Sequence, residues 1–505
     1  MGGGVALIDA DGDGRLDLFF CNGGPIVDGG DDPPCRLFIN KGDGTFADAT
    51  AKARAPGPSY AMGAAVGDVD GDGKDDLFVT GWRDQRLYRN LGGGRFEDVT
   101  DRAGLESNAW STSAAFADLD GDGDLDLYVC NYLDFDPRRA PVCLAPDGRR
   151  DYCGPEDFAS QADRLYRNNG DGIFDDVTKD AGIDLPDGRG LGVLIADLVG
   201  DGKPDIVVAN DGTACWLFEN RGGLRFREVG RAAGVAFDGA GEPLAGMGVA
   251  LGDLDGDGRS DLVVTNFLGR STVAFRALGR DQYIDASTTF GLKAATRDVL
   301  GFGVALADFD ADGRLDLIQA DGHVLDRDRL GVPFAMKPTL LRNVGKRLVR
   351  SEGASPWFDR PILGRGLAVG DLDGDLRPDA VVAALDAPAA LLRNKSGGGH
   401  FLVVDLDGRS AVGAHVRATV GGRTLVRDAV AGGSYLAASD RRIYLGLGDA
   451  RRVDRLEIAW PSGRVESWEG LEAGKVARLV EGSGKNRLSP LQGPSSTAQD
   501  KAAAR

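Results

Sequence analysis

A 505-residue chain with 76 glycines, 27% charged residues and 7% aromatic residues has the make-up of a turn-rich β protein. No apolar run reaches the roughly 18 residues that a membrane-crossing helix needs, so no membrane span is expected. The formal net charge of −19 argues against nucleic acid and anionic membranes as partners.

Met1 is followed at once by Gly2-Gly3-Gly4-Val5-Ala6-Leu7, a strand pattern with no signal peptide ahead of it. A domain rarely starts inside its first strand. The expectation is therefore a natural chain that is longer at this end, secretion signal included.

That strand leads into the first of seven nine-residue acidic loops, which start at Asp9, Asp68, Asp118, Asp197, Asp253, Asp308 and Asp371. The first three read Asp-x-Asp-Gly-Asp-Gly-x-x-Asp, with carboxylates at Asp9, Asp11, Asp13 and Asp17; Asp68, Asp70, Asp72 and Asp76; Asp118, Asp120, Asp122 and Asp126. Carboxylates crowded in this way repel one another unless a cation sits among them. Oxygen ligands around a glycine turn suit a hard, large ion, Ca2+ before Mg2+ or a transition metal. An EF-hand needs a Glu at loop position 12 and flanking helices; here that position is Phe20, Val79 or Val129. Apolar runs on both sides, such as Ala64-Ala65-Val66 and Leu77-Phe78-Val79, mark strands instead. The loops hold 27 aspartates at positions 1, 3, 5 and 9, and seven bound divalent ions would reduce the net charge from −19 to about −5.

Between loops a second motif recurs: Leu-Phe/Tyr-x-Asn, a Gly turn, then Phe-x-Asp-Val-Thr. It is clearest at Leu87-Tyr88-Arg89-Asn90 with Phe96-Glu97-Asp98-Val99-Thr100, and at Leu165-Tyr166-Arg167-Asn168 with Phe174-Asp175-Asp176-Val177-Thr178. It fades at Leu217-Phe218-Glu219-Asn220, Leu341-Arg342-Asn343 and Leu392-Arg393-Asn394. The period of 50 to 79 residues fits a four-stranded unit of strand, loop, strand, strand, hairpin and strand. Seven such units bury their faces only by packing radially, which predicts an all-β seven-bladed β-propeller over residues 1–396. The seventh unit lacks the last motif, so it is expected either to be three-stranded or to lack a partner strand from a missing N-terminus.

Cys21 and Cys35 flank one Gly/Asp/Pro-rich loop, and Cys143 and Cys153 flank another. Each pair is placed to staple an insertion by a disulfide outside the cytosol; unpaired packing is the alternative. Cys130 and Cys215 read as small core residues. Long insertions at 131–160 and 321–338 are candidate recognition surfaces, or simple decoration.

From His400 the strand pattern changes, and a compact β-sandwich-like domain is expected over 397–482, followed by a disordered polar tail over 483–505.

The propeller units resemble FG-GAP/VCBS-type repeats, the integrin-like blades with calcium between their first two strands. The C-terminal domain resembles the ASPIC/UnbV domain, on Ala411-Val412-Gly413-Ala414-His415-Val416, Gly432-Gly433-Ser434-Tyr435-Leu436, Leu445-Gly446-Leu447-Gly448 and Trp460-Pro461-Ser462-Gly463. Together, over about 1–482, they resemble the cartilage acidic protein family and its bacterial relatives. The resemblance implies secretion, calcium binding and an adhesion or matrix role, with a protein or glycan ligand. It also implies ligation by the carboxylates at loop positions 1, 3, 5 and 9 with the position 7 carbonyl. The fifth loop (Asp253, Asp255, Asp257, Asp261) and the sixth (Asp308, Asp310, Asp312, Asp316) keep all four carboxylates. So does the seventh (Asp371, Asp373, Asp375, Asp379), although Leu376 replaces a glycine expected to be left-handed, at a cost of about 1–2 kcal/mol. In the fourth loop Val199 replaces an Asp, leaving Asp197, Asp201 and Asp205 as a weak or absent site. Five to seven Ca2+ sites are expected.

The alternative function is a calcium-dependent carbohydrate-active lyase or hydrolase working in the propeller mouth. Histidines are confined to His323, His400 and His415, of which His323 in the sixth insertion is the candidate for chemistry. Ser434 lacks a nucleophile elbow and reads as a turn residue. An axial pocket with convergent polar groups would favour the enzyme, and a shallow face the binding module.

Overall fold

Each acidic loop joins two antiparallel strands, because the apolar runs on its two sides pair with each other as far as the position 9 aspartate at the loop's mouth, as Ile8 does with Asp17 and Gly67 with Asp76. In the second unit Ala61–Gly67 pairs with Asp76–Gly81, then Arg86–Asn90 and Phe96–Asp98. The computed structural model describes residues 2–26, 33–279, 281–385 and 387–486. Six units form such sheets with four strands in chain order, and the seventh has three among the described residues: Gly364–Gly370, Asp379–Ala384 and Ala390–Leu392. The first strands of successive sheets adjoin one another, and Val5–Ile8 meets both Ala61–Gly67 and Gly364–Gly370, so the ring is closed. This is a seven-bladed β-propeller with innermost first strands.

The Phe-x-Asp-Val-Thr motif is shorter as a strand than its sequence suggests. Strand pairing stops at Asp98, and Thr100–Ala103 forms one helical turn. Thr100 explains the switch: its Oγ1 accepts from Leu87 N at 2.9 Å and donates to Asp98 Oδ1 at 2.6 Å, so its backbone leaves the ladder.

A second body follows. Phe401–Asp407 lies between Ile443–Gly446 and Lys475–Val480, and a second sheet carries His415–Val420 at its heart, with Arg423–Asp428 and Arg452–Ala459 beside it. Leu402, Val404, Val416, Leu445, Leu456 and Trp460 fill the space between the sheets. Lys485–Asn486 adds an edge strand beside Glu466 and Ser467, and the tail beyond, 487–505, lies outside the described residues.

The two bodies are joined through the propeller axis. The segment from Ala431 to Asp440 leaves the C-terminal domain and enters the ring. Gly432 pairs with Leu194 of blade 4, and Ser434 exchanges backbone hydrogen bonds with Val249 of blade 5 at 2.6 and 3.1 Å. Ser434 Oγ accepts from Val304 N of blade 6 at 3.2 Å. Leu436 N donates to Ser113 Oγ of blade 3 at 3.1 Å, and Gly63 of blade 2 packs so closely on Leu436 that a Cβ there would lie 2.9 Å from its Cα. Ala437–Ala438 pairs in parallel with blade 1, and Ser439 Oγ accepts from Val369 N of blade 7 at 3.1 Å. Every blade touches this plug. Its course needs left-handed backbone at Gly432 and Gly433 (φ 69° and 89°), and also at Ser434 and Leu436 (φ 59° and 55°).

Candidate metal centres

The seven loops share one scaffold. The position 1 carboxylate folds back over its own loop: Asp9 accepts from Gly12 N at 2.9 Å, Asp13 N at 3.1 Å and Gly14 N at 2.9 Å. The same pattern recurs at Asp118, Asp197, Asp253 and Asp371. Glycine at positions 4 and 6 supplies the left-handed backbone, for example Gly12 and Gly14, both at φ 83°. Two substitutions hold that conformation without glycine, Leu376 at φ 66° and Ala311 at φ 62°; the second departs from the pattern in a loop expected to be regular.

The position 9 carboxylate bolts its loop to the blade. Asp76 accepts from Val69 N at 3.0 Å and Asn90 N at 2.7 Å, tying the loop to the third strand. Asp17, Asp126, Asp205, Asp261, Asp316 and Asp379 do the same in their blades. Burial raises their carboxyls, against the backbone hydrogen bonds: Asp17, Asp76, Asp261 and Asp316 to about 7, Asp126 and Asp205 to about 8, Asp379 to about 6.

Positions 1, 3, 5 and 9 converge. Ligand oxygens of Asp9, Asp11 and Asp13 lie within 4.8 Å of one another, as do those of Asp118, Asp120 and Asp122. So do those of Asp68, Asp70 and Asp76, and of Asp253, Asp255 and Asp261. At position 3 one oxygen of each of three carboxylates is buried with nothing to accept from: Asp11 Oδ1, Asp310 Oδ1 and Asp373 Oδ1. Burial, then the neighbouring Asp13 and Asp9, raises the Asp11 carboxyl, and burial, then Asp122, raises Asp120. Orphaned buried carboxylate oxygens facing like charges are what a divalent cation satisfies, so the residues fit a metal. Basic side chains supply part of the neutralisation. Arg89 Nε lies 2.5 Å from Asp70, Arg342 Nε 2.5 Å from Asp310, and Lys395 Nζ 2.6 Å from Asp373. At position 7, Arg15, Arg259 and Arg314 pair with Asp13, Asp257 and Asp312. In the fourth loop Val199 is buried, and its amide donates to Asp205 at 3.0 Å, filling the place of the missing carboxylate with an apolar side chain.

The second motif proves to serve these loops. Its Asn donates Nδ2 to the carbonyl of loop position 2 in the preceding blade: Asn168 to Val69 at 2.8 Å, Asn220 to Leu119 at 2.8 Å, Asn343 to Leu254 at 2.9 Å and Asn394 to Phe309 at 2.8 Å. Asn40 closes the ring on Leu372 at 2.9 Å. Blade 5 has no such Asn, and Tyr283 Oη takes its place on Leu198 at 2.9 Å. Gly94 N does so for Ala10 at 3.0 Å. The sequence shows the Asn as a repeat; only the ring shows its partner.

The C-terminal domain rests on the loop face. Ser410 Oγ reaches Asp118 Oδ2 at 2.5 Å, Arg423 reaches the Asp312 carbonyl at 3.0 Å, and Gly448 N reaches the Ala311 carbonyl at 2.7 Å. His415 Nδ1 lies 2.7 Å from Asp428, whose other oxygen meets Ser260 Oγ; His415 is thus a docking residue. A cleft of about 410 Å³, lined by Asp9, Asp68, Asp75, Asp440, Arg441 and others, remains between this domain and blades 1 to 3.

The other candidates for chemistry are structural. His323 is buried, and its Nδ1 accepts from Leu325 N at 2.9 Å; burial, then Arg327, lowers its pKa. At the axis Tyr435 and Leu436 are fully buried among Met62, Trp110, Tyr132, Leu191 and Phe302. Arg365 is buried beside them, its guanidinium 4.1 Å from the Phe302 ring and its donors on the Gly322, His323 and Gly364 carbonyls.

The FG-GAP-like repeat family matches residues 9–79, 68–129, 146–208 and 197–264, and the ASPIC and UnbV family matches 406–486. The chain is an FG-GAP repeat protein with a C-terminal ASPIC and UnbV domain. It is similar to cartilage acidic protein 1 of Homo sapiens, 34% identical over 167 residues, 31% of this chain and 24% of the relative. The Xenopus tropicalis protein of that name is 34% identical over 165 residues, 31% of this chain and 25% of the relative. The matched stretch spans about a quarter of those relatives. Among solved structures, the BP39L lectin from Burkholderia pseudomallei superposes with a TM-score of 0.44 at 13% identity, covering 78% of this chain and 97% of the lectin. The Bacillus licheniformis rhamnogalacturonan lyase PL11 gives 0.33 at 14% identity, covering 78% and 89%.

Proposed function

We propose that this protein is a secreted, calcium-stabilised adhesion and recognition scaffold that binds a glycan, matrix or protein partner through the insertions of blades 3 and 6. The observation that carries the reading is how those insertions meet. Both leave the second strands of their blades, at the face opposite the acidic loops. Arg327 reaches Asp151 at 2.8 Å and Arg329 reaches Asp147 at 2.7 Å, clasping the sixth insertion to the third, where Cys143 and Cys153 are joined as a disulfide. On this clasped platform Val142, Leu144 and Tyr152 are 68%, 63% and 77% exposed. Apolar side chains held out on a stapled, salt-bridged insertion suit recognition. The disulfide supports an oxidising compartment.

Asp9, Asp11, Asp13, Asp17 and their counterparts in loops 2, 3, 5, 6 and 7 would hold Ca2+, through the orphaned position 3 oxygens in particular. The ion's part is structural: it neutralises each loop and so supports the inter-blade hydrogen bonds that land on it. An axial pocket would favour the enzyme alternative, and Tyr435 and Leu436 lie on that axis.

The test is a glycan-array and extracellular-protein binding screen with Ca2+ present, repeated with Leu144→Ser/Tyr152→Ala. The expected result is a captured ligand that the double variant loses while its melting temperature is unchanged. Capture that the variant retains in full places recognition elsewhere.

A further inference from the structure

We propose that Cys21 and Cys35 close a second disulfide in the oxidised protein, cross-linking the second and third strands of blade 1. The thiols are not joined in the structure, yet the backbone already places them as bonded partners. Phe20 pairs with Arg36, so Cys21 stands opposite Cys35 at the next register position. Cys21 N donates away from the pair to Gly4 O at 3.0 Å, and Cys35 N donates away on the other side to Pro56 O at 2.8 Å. Neither amide is spent between the two strands, which makes this a non-hydrogen-bonded antiparallel pair. In such pairs the Cα atoms lie about 4.5 Å apart and the side chains are closest, within the Cα range of roughly 4.4–6.8 Å that a disulfide spans.

Both side chains are buried in one apolar cluster with Ala53, Ala55, Ala61 and Val79. The thiols hydrogen-bond to each other, which pushes the Cys21 thiol up and the Cys35 thiol down. Among the described residues, Cys130 and Cys215 are buried in two separate clusters, neither of which holds a second cysteine. The same chain already carries Cys143–Cys153, so an environment that joins one pair can oxidise the other.

The oxidant is a small or protein disulfide, such as oxidised glutathione. One cysteine thiolate attacks one sulfur of that disulfide, forming a mixed disulfide and releasing the other sulfur as thiolate. The thiolate of the other cysteine then attacks the protein sulfur of that mixed disulfide and expels the donor's second sulfur. Two protons and two electrons leave the protein, and the donor ends as two thiols. Because both cysteines are nearly inaccessible once folded, this exchange belongs to folding, while the hairpin is still open.

Blade 1 is where the ring closes, so the cross-link would fasten the closing blade. To test this, the full chain is reduced, denatured and refolded with Ca2+ in a reduced/oxidised glutathione buffer. It is then denatured in N-ethylmaleimide and cut with trypsin. Arg15 and Arg36 bound a single tryptic peptide, 16–36, that contains both cysteines. The expected peptide carries no alkyl group and is two hydrogens lighter than its reduced form, and Cys35→Ser makes Cys21 alkylatable. A peptide that carries alkyl groups or glutathione, or is linked to another cysteine, overturns the proposal.

Discussion

Asn168 of blade 3 donates Nδ2 to the Val69 carbonyl of blade 2 at 2.8 Å, so one blade's third strand holds the next blade's acidic loop. The same amide nitrogen also lies 3.2 Å from the Leu125 carbonyl of its own loop, and Oδ1 accepts from Gly170 N at 3.0 Å. Loop conformation and ring closure are therefore one structural problem.

Asn168→Ala leaves two buried carbonyls and two turn amides, Gly170 N and Gly172 N, without this partner, and is expected to lower stability by about 2–3 kcal/mol. Tyr283→Phe removes the single substitute bond to Leu198 and should cost about 1 kcal/mol. Denaturant titration measures both. Wild-type midpoints would mean that these bonds do not hold the blades.

Calcium should raise the melting temperature, and excess chelator should lower it sharply. Asp11→Asn distinguishes a metal loop from an ordinary acidic turn, because Asp11 Oδ1 is buried without a partner. With Ca2+ the variant loses a ligand and should be less stable by about 1–3 kcal/mol; in chelator it sheds a repelling charge and should be at least as stable as wild type. Asp120→Ala should cost more than Asp201→Ala, whose loop already has Val199 in place of a carboxylate. The same sign in both media, or equal costs for the last two, counts against the metal.

Tyr435 packs with its ring centroid 4.9 Å from that of Phe302 and is fully buried. Tyr435→Ala should cost about 3–5 kcal/mol. It should also separate unfolding of the C-terminal domain from that of the ring, giving two calorimetric transitions in place of one. A single, unshifted transition would show that the plug does not couple them.

Asp163 is buried, accepts from Asn131 N at 2.8 Å and meets Tyr128 Oη at 2.8 Å, and burial pushes its carboxyl up to about 7. Its folded value lies above its unfolded one, so its contribution is fully present below about pH 4 and is lost as pH rises through about 7. Asp163→Asn keeps an acceptor for Asn131 without the charge. In saturating Ca2+ it should gain about 2–4 kcal/mol on wild type between pH 4 and pH 8. Parallel melting curves across that range would refute the assignment.

The amino-acid sequence by itself determined the seven loops, their strand partners and the propeller, because each rests on local physics. Carboxylates crowded into nine residues repel within one turn, glycines take left-handed backbone where they stand, and apolar runs beside them pair with their chain neighbours. Only the tertiary structure decided what those pieces hold. Asn168 and Val69 are 99 residues apart, and Leu436 and Ser113 are 323 apart, and nothing periodic in the chain announces either contact. Residues 432–436 show up in the sequence as a motif, yet their place in the axis follows from seven first strands presenting amides and carbonyls to one point. Cys21 and Cys35 likewise flank a loop in the sequence, but it is the strand register that sets them face to face.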